Sequence, residues 1–191
     1  MGKIIVSENV TLDGVVQDPT GEEGFKFGGW FNQLAGTDRE EWAKAEFAEA
    51  RQAQALLLGR RSEEYFAVRW LARTGEWADR LNSMPKYVVS STLEAPEWNN
   101  TTVLAGDPVT EVAKLKQEVD GEIVVPASYQ LGRTLIEHDL LDELRVVVFP
   151  VVLGAGERLF GEGGEKKPMR LVEHRRIGGL VYLAYELVGA A

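Results

Sequence analysis

The sequence predicts an α/β protein in three layers, with a mostly parallel, twisted sheet, antiparallel edge strands and flanking helices. Three observations predict it. Short apolar runs alternate with amphipathic stretches from Lys3 to Glu137, the most apolar run of the chain is the valine-rich Leu144–Leu153, and two strand-like segments close the chain around Gly178-Gly179. Strands that alternate with helices build parallel sheets through crossover connections, and a terminal hairpin adds an antiparallel edge.

Taken in order, Lys3–Val10 reads as the first strand and ends in Thr11-Leu12-Asp13-Gly14. From Gln17 to Gly36 the composition turns to Gly, Asp, Pro and aromatics, the mark of a structured loop near a site. Thr37 or Asp38 caps a helix running to about Gln54, with Asp38, Glu40 and Glu41 in its first turn as the helix dipole prefers. Ala55–Leu58 is a short apolar strand ended by Gly59, and a second helix begins near Ser62. Lys86–Ser90 is a strand, followed by a proline-containing connection and the short strand Thr101–Leu104. Asp107-Pro108 opens an amphipathic helix that closes at Asp120-Gly121, with the aspartate as cap and the proline at the first helical position. Glu122–Pro126 is a buried-type strand, Tyr129–Glu137 a helix and Leu144–Leu153 a central strand. Met169–Arg176 and Leu180–Val188 form the closing hairpin.

A chain of 191 residues, 45% hydrophobic and 27% charged, fits one domain spanning 1–191. Folding at this size buries roughly 70% of the surface the unfolded chain exposes, so the core needs no staples. The chain has no cysteine, which removes disulfides, thiolate chemistry and cysteine-based zinc sites. Its net charge of −9 argues against nucleic acid as a partner, because phosphate neutralisation needs clustered Lys and Arg. An anionic cofactor stays open, since a few local cations can oppose the global sign. Met1–Val10 lacks the apolar run of a signal peptide and no stretch reaches transmembrane length, so the expectation is a soluble, cytoplasmic protein without a membrane partner.

Three segments are candidates for holding phosphate. The first is Gly59-Arg60-Arg61-Ser62 between a strand and a helix, where free backbone N–H groups and two forked guanidinium groups suit an anion. The bland alternative makes Ser62 a simple cap and the arginines solvated, a view that Glu63 and Glu64 in the first turn support. The second is Ser90-Ser91-Thr92 at the carboxyl end of a strand, where open α/β sheets place ligands, although such hydroxyls also serve local turns. The third is Ala127-Ser128-Tyr129-Gln130-Leu131, again strand to helix, but without a glycine to let a phosphate approach the backbone. Gly154-Ala155-Gly156 fails as a dinucleotide fingerprint because Leu159 occupies the third glycine position.

Among acids, Asp13 is either one half of an Asp-Gly turn or a carboxylate facing the ligand crevice, able to bind an amino-pyrimidine edge or relay a proton. Glu46 and Glu49 on the first helix could do likewise. Trp30 and Phe31 could stack on a planar ring or serve as core or dimer contacts. His138 and His174 stand far apart without spaced partners, so neither a Ser-His-Asp assembly nor a metal site is expected.

In order and spacing these pieces resemble one family. Thr11-Leu12-Asp13-Gly14, Gly28-Gly29-Trp30, Leu56-Leu57-Leu58-Gly59-Arg60-Arg61, Lys86-Tyr87-Val88-Val89-Ser90, Leu115-Lys116, Leu140-Leu141-Asp142-Glu143-Leu144 and Pro150-Val151-Val152-Leu153-Gly154-Ala155-Gly156 are similar to segments of the dihydrofolate reductase-like proteins related to the C-terminal reductase domain of bacterial riboflavin biosynthesis. The similarity runs from Gly2 to about Leu187. It implies a dihydrofolate reductase-like fold with NADPH across the strand ends. By that resemblance, Gly59, Arg60, Arg61 and Ser62 hold the pyrophosphate and adenosine phosphate. Ser90, Ser91 and Thr92 lie beside the 2′-phosphate, and Ala127, Ser128, Tyr129, Gln130 and Leu131 form a second pyrophosphate-binding helix start. Thr11, Asp13 and Trp30 border the substrate, with the proton arriving from solvent or through a relay at Asp13, the catalytic candidate. Homodimers are common in the family.

Two departures stand out. Ala127 takes a position that is usually glycine, and Ser62-Glu63 replaces a typical Thr-Tyr pair, putting a negative charge near the anion site. The reading is therefore an NADPH-dependent reductase acting on a pterin-like or ribosylamino-pyrimidine-like small molecule. Its rival, motivated by Ala127 and Glu63, is a non-catalytic ligand-binding or dimeric scaffold protein that kept the fold.

Overall fold

The computed structural model describes residues 1–162 and 164–188. It forms one eight-stranded sheet with helices on both faces. The strands are β1 (Lys3–Thr11), β2 (Ala55–Gly59), β3 (Lys86–Val89), β4 (Thr101–Leu104), β5 (Glu122–Pro126), β6 (Glu143–Phe149), β7 (Met169–Ile177) and β8 (Leu180–Leu187). They lie in the order β4-β3-β2-β5-β1-β6-β8-β7. The first six run parallel to one another, and β8 pairs antiparallel with both β6 and β7 at the edge. The mostly parallel sheet with an antiparallel edge is the one the sequence predicts.

Helices α1 (Gly36–Gln52), α2 (Arg60–Leu71) and α3 (Glu76–Ser83) cover one face. Ala50, Ala53, Ala67, Trp70, Ala78 and Leu81 pack there on Leu56, Leu58, Val88 and Val124. Helices α4 (Pro108–Glu118) and α5 (Tyr129–Glu137) cover the other, where Val112, Leu115, Leu131 and Leu135 pack on Ile4, Val6, Val125 and Leu144. Strands buried on both sides read as unbroken apolar runs, as β2 and β5 do. Gly132 lets α5 lie close on β1, since a Cβ there would sit 3.3 Å from Val6.

Several boundaries differ from expectation. β6 stops at Phe149 rather than Leu153, because Pro150 has no N–H to give the ladder. α2 begins at Arg60, two residues before Ser62. α1 begins at Gly36 with no side-chain cap, and the Asp38 carboxylate accepts from Gly179 N at the β7–β8 turn instead. α3 is not anticipated by sequence at all. Asp107 caps α4 as expected, accepting from Thr110 N at 2.9 Å.

The segment between β1 and α1 is ordered by Asp18, which is buried and has a φ of 47°. Its carboxylate accepts from Glu23 N and Phe25 N, and its carbonyl from Gly21 N and Gly29 N. Gly28 is required beside it, because a Cβ there would lie 2.4 Å from Asp18 Oδ2.

Candidate active site

The strand order creates a crevice without help from any side chain. From β2 the chain crosses through α2 to β3 on one side, and from β5 it crosses through α5 to β6 on the other. β2 and β5 are neighbours, so α2 and α5 leave them on opposite faces of the sheet and in opposite directions. A gap opens at such a switch point, beyond the carboxyl ends of the strands, and both helix openings, whose first-turn N–H groups have no partner within the helix, face it.

Two side chains join those openings. Ser62 Oγ donates to the Ala127 carbonyl at 2.8 Å, and Gly59 N donates to Ser128 Oγ at 3.2 Å. Ser128 Oγ in turn donates to Pro126 O. The first and third phosphate candidates thus form one continuous rim. Gly59 presents its backbone to open space, with nothing within 4 Å of an added Cβ. Arg60 and Arg61 extend into solvent and pair with Glu64 and Glu23 at 3.4 and 3.1 Å. Surface pairs of this kind are worth little and are readily exchanged for a stronger anion. Tyr129, Gln130 and Leu131 make the first turn of α5. Ala127 has a left-handed φ of 47°, the conformation that explains a glycine preference at this position.

The remaining candidate, Ser90 to Thr92, follows β3 on the far side of β2. Ser90 Oγ accepts from Thr92 N and Leu93 N, so this hydroxyl shapes the turn and leaves Ser91 and Thr92 exposed. Glu63 does not oppose an anion as the sequence suggests. It is 1% exposed and turned inward, accepting from Trp98 N at 3.1 Å.

At the end of β1, Thr11, Asp13 and Trp30 take different parts. Asp13 lies in a tight turn in which Gly14 N donates to Thr11 O and Gly14 has a φ of 79°. The Asp13 carboxylate accepts from Thr11 Oγ1 at 2.6 Å and from Leu153 N and Gly154 N. The Thr11 hydroxyl, then the Gly154 and Leu153 amides, hold it below the ordinary carboxylate range. A carboxylate so satisfied anchors the 153–154 loop and is a poor proton donor. Thr11 is 1% exposed, with its hydroxyl spent on Asp13 and on Val15 N. Trp30 is 2% exposed, edge-on to Phe149, with its indole N–H donated to Gln17 O. It packs beneath the site and does not offer a stacking face.

The structure also shows an acid–arginine network. Beneath α1 lies a cavity of about 210 Å³ lined by Ser7, Glu46, Glu49, Arg145, Arg175 and Tyr182, among others. Arg145 points out of β6 and binds Glu49 at 3.0 Å, Glu122 at 3.0 Å and Glu143, which also holds Lys3. Burial opposes the Arg145 charge, and the bonds from these carboxylates more than restore it. Among the described residues Glu46, half-buried at the cavity wall, makes no salt bridge, although Arg145 and Arg175 line the same cavity. Burial first, then the charges of Glu49 and Glu8, push its carboxyl up to about 8. Burial also pushes Glu49 up against the pull of Arg145. Ser7, which lines this cavity, accepts from Ala127 N through its carbonyl. On the opposite face of β1, Glu8 is buried beside the Ser128 amide with Oε1 unpartnered, and burial pushes it up to about 8. Among the described residues no group of His, Asp and Glu is placed to hold a metal ion, and no helix is long and apolar enough to cross a membrane.

A sequence model of the RibD C-terminal domain matches residues 2–183. Two relatives are uncharacterised proteins of Bacillus subtilis (strain 168). YyaP is 32% identical over 111 residues, 57% of this chain and 58% of YyaP, so that match spans little over half of the relative. YwjB is 25% identical over 183 residues, 96% of this chain and 97% of YwjB. Among solved structures, a putative riboflavin biosynthesis protein from Shewanella sp. PV-4 superposes with a TM-score of 0.69 at 20% identity, over 97% of this chain and 99% of the other. Dihydrofolate reductase from Enterococcus faecalis, complexed with NADP(H), superposes with a TM-score of 0.57 at 14% identity, over 97% and 96%.

Proposed function

This chain belongs to the RibD C-terminal domain family, and on that premise we propose that it is an NADPH-dependent reductase of a pterin-like or ribosylamino-pyrimidine-like small molecule. The observation that carries the reading is the joined rim of the crevice, where Ser62 meets Ala127 and Ser128 meets Gly59. Helix openings fixed side by side offer backbone donors to two linked phosphates at once. NADPH bound there supplies a hydride.

The residues fit such a group. Gly59 leaves space for an anion to approach the backbone, and Arg60, Arg61 and Ser62 supply charge and donors. Ser91 and Thr92 border the 2′-phosphate, with Ser90 shaping their turn. Ser128 to Leu131 form the second opening. Asp13 and Thr11 hold the loop at the substrate end, over Trp30. We assign the proton to Glu46, which lines the cavity beneath α1 and whose carboxyl burial pushes up to about 8. With the coenzyme bound, the substrate C=N or C=O carbon would be reduced and its nitrogen or oxygen would take the proton. Holding donor and acceptor about 3–3.5 Å apart contributes roughly 7–11 kcal/mol towards the barrier. The exposed hairpin, with Leu171, Val172 and Val181 at its surface, is where we place a homodimer contact.

Fluorescence titration with NADPH, followed by its oxidation in the presence of pterin and aminopyrimidine substrates, tests the reading. Arg60→Ala should weaken NADPH more than NADH, and equal loss for both would remove its assigned 2′-phosphate role. Tight binding with no turnover on either class would favour a non-catalytic ligand-binding protein.

A further inference from the structure

Glu63 stands in the first turn of α2, yet its carboxylate is buried and turned away from the crevice. It accepts from the backbone N–H of Trp98 at 3.1 Å, across a sequence gap that contains all of α3 and β3. Trp98 is buried too. Its indole N–H donates to Asn82 Oδ1 at 2.7 Å, and its ring lies beside Phe66 of α2 and 4.6 Å from Lys86 Nζ. Lys86 is fully buried and gives its ammonium protons to the carbonyls of Met84, Asn99 and Asn82. Glu63 is thus one member of a buried polar knot that pins the chain between Ser90 and Asn100.

The position of that segment matters for the reading above. Its upstream end is Ser90 to Thr92, followed by Leu93, half-buried against the core under α2. Glu63 therefore ties the helix start that faces the pyrophosphate position to the loop that faces the 2′-phosphate position. Burying a carboxylate costs free energy unless it is bonded, so its presence here asks for a reason beyond packing.

Resting on the proposed coenzyme site, we infer that Glu63 is a positioning residue that sets the Ser90–Thr92 loop relative to the opening of α2, and with it the preference for a 2′-phosphorylated coenzyme. The residue does not touch the coenzyme. It acts through Trp98 N and the short chain between Trp98 and Thr92.

The test uses Glu63→Ala, which removes the acceptor, and Glu63→Gln, which retains an acceptor oxygen of the same reach. In hydrogen exchange without nucleotide, the alanine variant should speed exchange of the amides from Thr92 to Trp98 about tenfold, as expected for one lost bond to a charged acceptor. The glutamine variant should change it by less than about threefold. In nucleotide titrations the alanine variant should weaken NADPH about tenfold and NADH less than about threefold. A purely structural role would lower the melting temperature and leave the NADPH-to-NADH ratio unchanged, which would overturn the inference, as would unaltered exchange. Should the alanine variant fail to fold, Glu63→Asp keeps the charge, shortens the reach and must show the same selective loss. If the unsubstituted chain bound neither nucleotide, the reductase reading would fall, and the exchange data would still decide whether Glu63 sets the loop.

Discussion

Ser62 Oγ and the Ala127 carbonyl oxygen lie 2.8 Å apart, so a single hydroxyl fastens the start of α2 to the turn before α5. That turn is made by an alanine with a φ of 47°, a conformation that costs a residue with a Cβ roughly 1–2 kcal/mol. Ala127→Gly relieves that strain and forfeits about 0.5–1 kcal/mol of backbone entropy. The expected net gain is up to about 1.5 kcal/mol, with tighter NADPH binding because the Cβ no longer crowds the crevice. Urea unfolding and nucleotide titration measure both. A loss of more than about 1 kcal/mol would mean that the methyl group packs usefully.

Arg145 is the hub for Glu49, Glu122 and Glu143. Arg145→Ala leaves those carboxylates facing one another, with Lys3 still on Glu143, and such a removal costs about 3–5 kcal/mol. Because the cost is ionised acid, lowering the pH towards 5 should recover part of it. Chemical denaturation at two pH values shows the recovery; a loss independent of pH would reduce Arg145 to a packing residue.

Glu8 gives a pH dependence of definite sign. Burial raises its carboxyl to about 8 in the folded chain, against 4.5 for the free group. Between those values the folded state keeps a proton that the unfolded state has released, so stability falls as pH rises, by at most about 1.4 kcal/mol per pH unit. Glu8→Gln should flatten that slope. An unchanged slope would assign it to Glu46 or Glu49.

Glu46→Gln should lower kcat by about a hundredfold or more while leaving NADPH affinity nearly intact. In the unsubstituted protein, kcat should decline as pH passes about 8, where Glu46 loses its proton. Retention of full activity by the glutamine variant, with the same pH profile, would move the proton source elsewhere.

The strands were legible because both-face burial writes an unbroken apolar run, and β2 and β5 have one each. Helix α3 was not, since Glu76–Ser83 is short, polar and ends in Asn82 and Ser83, which resemble a loop. The phosphate candidates were legible singly as strand-to-helix junctions. Their junction was not, because Ser62 meets Ala127 only once β2 and β5 are known to be neighbours. The acid–arginine network escaped for a related reason. Arg145 interrupts a run otherwise read as apolar, and its partners come from α1, β5 and β6. Glu63 looked like a liability because helix position alone does not say which way a side chain turns.

The placement of β1 has a consequence for how the molecule is made. Its partners are residues 122–126 on one side and 143–149 on the other, so this strand cannot be hydrogen-bonded until more than a hundred further residues have been made. Pairing so distant in sequence is slow, and an apolar ribbon waiting in the open invites aggregation. Expression at lower temperature or with a chaperone should therefore raise the yield of native protein more than any change at the exposed carboxyl-terminal hairpin.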